Sequence, residues 1–107
     1  MDKEIQAELD MLKEIIVHTV PVEQIWLFGS YANGTPQKDS DLDLYVILKD
    51  EIVMRMVDAA IMIRHAIGRK KTMSVDVVTN TLSNYKKRLQ FATLERTISR
   101  QGIKIYG

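Results

Sequence analysis

The 107-residue chain has no cysteine. That absence excludes disulfides, thiolate zinc sites and cysteine nucleophiles, and it suits a reducing compartment. With two prolines and five glycines, it has no linker, repeat or low-complexity tract. No charge of one sign prevails either, since 15 basic residues face 14 acidic ones for a net charge of +1. Bulk electrostatics therefore does not draw the molecule to nucleic acid or to an anionic membrane. The short basic runs at 69–71 and 86–88 lie near expected helix ends and read as solvated, which argues against a nucleic-acid partner. No apolar run approaches the roughly 18–20 residues of a membrane span, and the first ten residues are too charged for a signal peptide, so no membrane association and a cytoplasmic location are expected. Also missing are G-x-x-x-x-G-K-[ST], G-x-G-x-x-G and G-x-S-x-G, which leaves P-loop, dinucleotide and hydrolase-elbow chemistry without support. The segment from Asp39 begins like a calcium loop, but Leu44 stands where the sharp turn needs glycine.

What is present is an apolar fraction of 46% and a charged fraction of 27%, the balance of an ordinary globular protein. At this length one domain covering residues 1–107 is expected. Ile5, Leu9, Leu12 and Ile16 recur at helical spacing over residues 3–18, and Pro21 marks the stop. Residues 23–28, 41–49 and 73–79 read as strands. Between the second and third, the pattern predicts a helix over 51–67, with Asp50 as its N-cap, Val53, Met56, Val57, Ala60, Ile63 and Ile67 on one face, and Gly68 as its stop. Met54, Ile61 and Met62 lie off that face and suit an interface. A last helix is expected to end near Gln101, followed by a short edge strand in the stretch IKIY. The fold class is α/β or α+β, a small mixed sheet flanked by helices.

Two aspartates open the second expected strand. Because side chains alternate across a strand, Asp41 and Asp43 point one way while Leu42, Leu44 and Val46 point the other. Two carboxylates at one spot are costly unless a cation lies between them or one is protonated. Oxygen ligands favour a hard ion such as Mg2+, which relies on one or two carboxylates plus substrate phosphates. Asp76 holds the matching position in the third strand, and a right-handed crossover through the middle helix would lay that strand parallel to the second and bring a third carboxylate to the pair. Upstream, Gly29 would let a phosphate approach the backbone, and Ser30 with the N–H groups of the next turn would donate to it.

Gly29-Ser30, ten residues, Asp41-x-Asp43, and then an aspartate inside a strand one helix later together resemble the signature of polymerase-β-like nucleotidyltransferases. Within that superfamily the chain is most similar to the minimal nucleotidyltransferase domains, which serve as antitoxins to HEPN-type toxins. The resemblance implies that Gly29 and Ser30 hold a nucleotide triphosphate, that Asp41 and Asp43 bind two Mg2+ ions, and that Asp76 completes the catalytic and metal-binding cluster. It implies ATP as substrate and transfer of AMP to a hydroxyl, such as a tyrosine's, on a cognate toxin. A homo-oligomer stays open. One departure is Asn33, which stands where that family often has arginine, with Lys38 as a candidate substitute. The rival expectation is a non-catalytic antitoxin that neutralises its partner by occlusion alone.

Overall fold

The computed structural model describes residues 2–107. The elements run α1 (Lys3–Thr19), β1 (Val22–Phe28), α2 (Ser30–Asn33), β2 (Leu42–Leu48), α3 (Met56–Ile67), β3 (Val75–Thr81), α4 (Leu82–Arg88), α5 (Leu94–Gln101) and β4 (Ile103–Tyr106). The four strands form one mixed sheet in the order β3-β2-β1-β4. Two pairings are antiparallel, β1 with β2 and β1 with β4. The β2–β3 pairing is parallel, as the crossover through α3 requires.

Period-two alternation decides which helix layer each strand residue meets. On β2, Leu42, Leu44, Val46 and Leu48 face α1 and α3, where they join Leu9, Leu12, Ile16 and Ile63 in the main core. The other face of the sheet carries Tyr45 and Ile47, which pack with Tyr85 of α4 and Ile98 of α5 into a second, smaller cluster. All seven β2 residues except Asp43 are buried, as befits a strand with a neighbour on each side and a helix layer on each face.

Local chemistry sets the element ends. Asp2 caps α1 by accepting from the Glu4 N–H at 2.7 Å. Gly68 follows α3 with φ +48°, a conformation that favours glycine. The middle helix differs from its predicted form: it starts at Met56, not at residue 51, and Asp50 is not its cap. The Asp50 carboxylate instead accepts from the N–H and hydroxyl of Ser83, both at 3.0 Å, and so ties the β2 end to α4. Losing that first turn moves Val53 into a loop, fully exposed, and Val57 is also exposed, so α3 meets the core through Ala59, Ala60, Ile63 and Ile67. Ile61 and Met62 are exposed as expected, whereas Met54 packs on the core. The single closing helix is in fact two, because Thr81 and Thr93 each cap a new start. Among the described residues no helix is long and apolar enough to cross a membrane.

Candidate active site

The register of the sheet sets the site. Asp43 on central β2 pairs across the antiparallel ladder with Phe28, the last residue of β1, and across the parallel ladder with Asp76 of β3. Residues paired directly across two strands share a face, so Asp43 and Asp76 stand side by side on the α4/α5 side of the sheet. Asp41 lies one residue before β2 begins and is exposed. β3 is an edge strand, and the Asp76 side chain is 56% exposed. Its flanking valines, Val75 and Val77, turn to the main core on the opposite face and do not bury it.

Gly29 meets these carboxylates directly. It has φ +76°, and a Cβ built on it would collide with the Asp43 carboxylate. Two independent constraints thus demand glycine: a left-handed backbone and the close approach of Asp43. The chain then enters the single turn of α2, whose first N–H groups have no partner within the helix. The spacing of Gly29-Ser30 to Asp41-x-Asp43 acquires a physical meaning, because it brings free backbone donors to the edge of an acidic pair.

Electrostatics agree with the geometry. The carboxyl of Asp43 is held above the usual carboxylate range, first by burial and then by the charges of Asp76 and Asp41. An acid destabilised by two neighbouring acids is a group that a cation would relieve, and an all-oxygen donor set fits Mg2+. Among the described residues no three Asp, Glu or His side chains are already gathered into a closed metal cluster. The aspartates form an open rim, the arrangement suited to a Mg2+ ion that takes its remaining ligands from water and phosphate.

Several participants were not legible from spacing. Arg64 of α3 reaches round the β3 edge, donating to the Val77 carbonyl at 2.9 Å and lying 3.8 Å from Asp76. Asn33 lines a cleft of about 190 Å³ with Phe28, Gly29, Leu94, Thr97 and Gln101, a lining without a charged side chain. Lys38 is not in that cleft; it lies with Tyr31, Ser40 and Met73 in another. Beside Asp43 on the same face, the Tyr45 hydroxyl donates to Glu95 Oε2 at 2.6 Å and Arg88 Nε donates to Oε1 at 2.9 Å. Burial and the acceptor Glu95 push the Tyr45 hydroxyl well above its ordinary value. Burial opposes the ionised form of Glu95, but bonds from Tyr45 and Arg88 outweigh it and hold the carboxyl below its ordinary value. The one available clue was Glu95 itself, an acid three residues before the apolar Ile98 on a short amphipathic helix.

Comparison with known proteins places this geometry. A search of curated protein sequences finds no match. Among solved structures, a chain of a toxin–antitoxin crystal structure with AMP-PNP is 25% identical, with a TM-score of 0.59 over 94% of this chain and 73% of that one. A chain of a MntA–HpeT toxin–antitoxin variant is 23% identical, with a TM-score of 0.62 over 92% of this chain and 71% of that one. A Sulfolobus solfataricus protein provisionally assigned as a nucleotidyltransferase is 22% identical, with a TM-score of 0.59 over 97% and 86%. The family profile described as polymerase beta, nucleotidyltransferase, matches residues 10–107. With a mixed four-stranded sheet, a glycine turn closing on an aspartate pair and a third aspartate in register beside it, the chain belongs to the polymerase β nucleotidyltransferase family.

Proposed function

We propose that this nucleotidyltransferase is an antitoxin that moves AMP from ATP to a tyrosine hydroxyl on a cognate HEPN-type toxin. The observation that carries this reading is the direct register of Asp43 with Asp76 beside a glycine that only a bare α-carbon can fill. The toxin–antitoxin structures with similar chains, one of them holding AMP-PNP, support the choice of partner and nucleotide.

In this mechanism the backbone donors at Gly29 and Ser30 hold the triphosphate, and Asp41, Asp43 and Asp76 are the residues that would hold Mg2+. When bound, Mg2+ supplies Lewis-acid stabilisation of charge on the phosphate oxygens. The acceptor oxygen attacks the α-phosphorus in line. The bond from that phosphorus to the β-phosphate bridging oxygen breaks, and pyrophosphate leaves with the electron pair. Asp76, on the strand opposite the Gly29 turn, takes the hydroxyl proton and passes it to solvent.

Mg2+ and ATP together should raise the melting temperature more than the sum of each alone, because the triphosphate supplies ligands that three aspartates lack. Asp43→Asn should remove that synergy and still fold; a variant that responds like the parent would exclude Asp43 as a ligand. A second reading is occlusion without transfer. It draws on Asn33, which leaves the cleft beside Gly29 without a cation to grip phosphate. Incubation of the partner with parent protein, Mg2+ and ATP separates the two: AMP-sized mass increments on the partner mean transfer, and an unchanged mass in a formed complex means occlusion.

A further inference from the structure

The sheet order gives the two substrates different sides. Asp43 stands on β2 between β1, which carries the Gly29 turn, and β3, which carries Asp76. If the nucleotide is held from the Gly29 side, an in-line attack brings the acceptor from the β3 side. A second cavity, of about 430 Å³, lies on that side, lined by Asn80, Asn84, Lys87, Arg88, Phe91 and Glu95. Asn80 is four residues along β3 from Asp76, so the two share a face and are separated by about 13 Å of strand. An extended segment of about four residues spans that distance.

The lining states what such a segment carries. Glu95 is 5% exposed, and its charge is paired with Arg88 and bonded by the Tyr45 hydroxyl, so it does little to repel an anionic ligand. Arg88 uses only its Nε there, leaving its terminal N–H groups for another acceptor. Lys87 is exposed and is absent from the ion pairs found among the described residues. Asn84 presents an amide suited to a peptide backbone, whereas the Asn80 side-chain oxygen already accepts from the Thr81 N–H at 2.9 Å; Phe91, 60% exposed, offers an aromatic surface at the rim. We propose that this cavity is the acceptor subsite, and that it selects an acidic segment of a partner protein whose hydroxyl then reaches Asp76. The inference rests on the transfer reading for its chemistry, whereas the cavity's preference for acidic segments can be measured without it.

The probe is poly(Glu,Tyr), a random acidic copolymer, with poly(Lys,Tyr) as its cationic counterpart and an unstructured RNA oligonucleotide as the third arm. Amide exchange over residues 80–91 of the full chain should slow with poly(Glu,Tyr) alone. With Mg2+ and α-labelled ATP, label should enter poly(Glu,Tyr) in preference to poly(Lys,Tyr). Lys87→Glu should raise the apparent KM for poly(Glu,Tyr) about tenfold with little change in kcat and an unchanged Mg·ATP melting shift, because it places a like charge against the acidic chain. Lys86→Glu changes net charge equally but lies outside the cavity, and should shift KM far less. Equal effects from the two variants, unslowed exchange at 80–91 with poly(Glu,Tyr), or slowing by RNA in its place would each overturn the proposal. Slowed exchange with no label on any acceptor supports the cavity as an acidic-segment site and sinks the transfer reading instead.

Discussion

The two faces of the sheet are covered to different extents. Under α1 and α3, the even-numbered residues of β2 from Leu42 to Leu48 are all fully buried in a core of fifteen residues. Under α4 and α5, the cluster has four buried residues, and the covering helices leave Asp43 partly and Asp76 more than half exposed. One face supplies most of the apolar burial, at roughly 25 cal/mol per Å², and the other leaves its end free for charged groups. Strand parity on β2 divides the labour: the even-numbered residues all pack into the main core, whereas the odd-numbered ones face the thinner layer, where Tyr45 and Ile47 pack the smaller cluster and Asp43, near the strand's start, is left open.

The comparison breaks most visibly if the parities exchange roles. Leu44→Ala should lose about 2–5 kcal/mol in urea unfolding, the cost of a cavity in a dry core. Asp76→Asn, one strand away on the open face, should leave that midpoint nearly unmoved while slowing AMP transfer on the order of a hundredfold or more, as expected for a lost proton acceptor. A large stability loss from Asp76→Asn would mean that the open face is structural after all.

Gly29→Ala sharpens the boundary between the faces. It should cost about 1–3 kcal/mol for a positive-φ, extended backbone that essentially only glycine adopts and abolish the Mg·ATP melting shift, since the new methyl displaces the Asp43 carboxylate. A smaller contrast lies within the open face itself, where two carboxylates have opposite pH slopes. Asp43 has a raised folded value, so its ionisation costs the native state, and this stability is present at low pH and lost as pH rises through the folded value. Glu95 has a lowered one, so its contribution is present at neutral pH and lost as pH falls below the ordinary glutamate range through the folded value. Without metal, Asp43→Asn should therefore raise the melting temperature at pH 7, and Glu95→Gln should lower it; melting curves at pH 4 and pH 7 read both differences. The smallest effect is expected from Arg64→Ala. Its pair with Asp76 is half exposed on both sides and worth about 0–1 kcal/mol, and the Mg·ATP shift should persist without it.

Runs of β-forming residues, helical spacing and local stops such as Pro21 and Gly29 made the first three strands, the lead-in helix and the edge strand IKIY legible. The approach of Asp76 to Asp43 was legible too, since a crossover of that length leaves parallel pairing as the simple solution. The start of α3 was not, because Ile52, Val53 and Met54 are as apolar as a helix face, and nothing local tells that the Asp50 carboxylate bonds Ser83, 33 residues on, instead of capping a helix. The Tyr45–Glu95–Arg88 network spans 50 residues of sequence, and its only local trace is Glu95 on a short amphipathic helix. Nor could spacing reveal that Asn33 opens into an uncharged cleft, since α5, which forms its other wall, comes from the far end of the chain.

The claim that the acidic rim on the open face performs transfer is tested most directly by intact mass of the partner protein after incubation with Mg2+, ATP and either the parent chain or Asp76→Asn. The account predicts one or more AMP increments with the parent and an unmodified partner with the variant, although both form the complex. An unmodified partner in a complex with the parent, or equal modification by both chains, would contradict it.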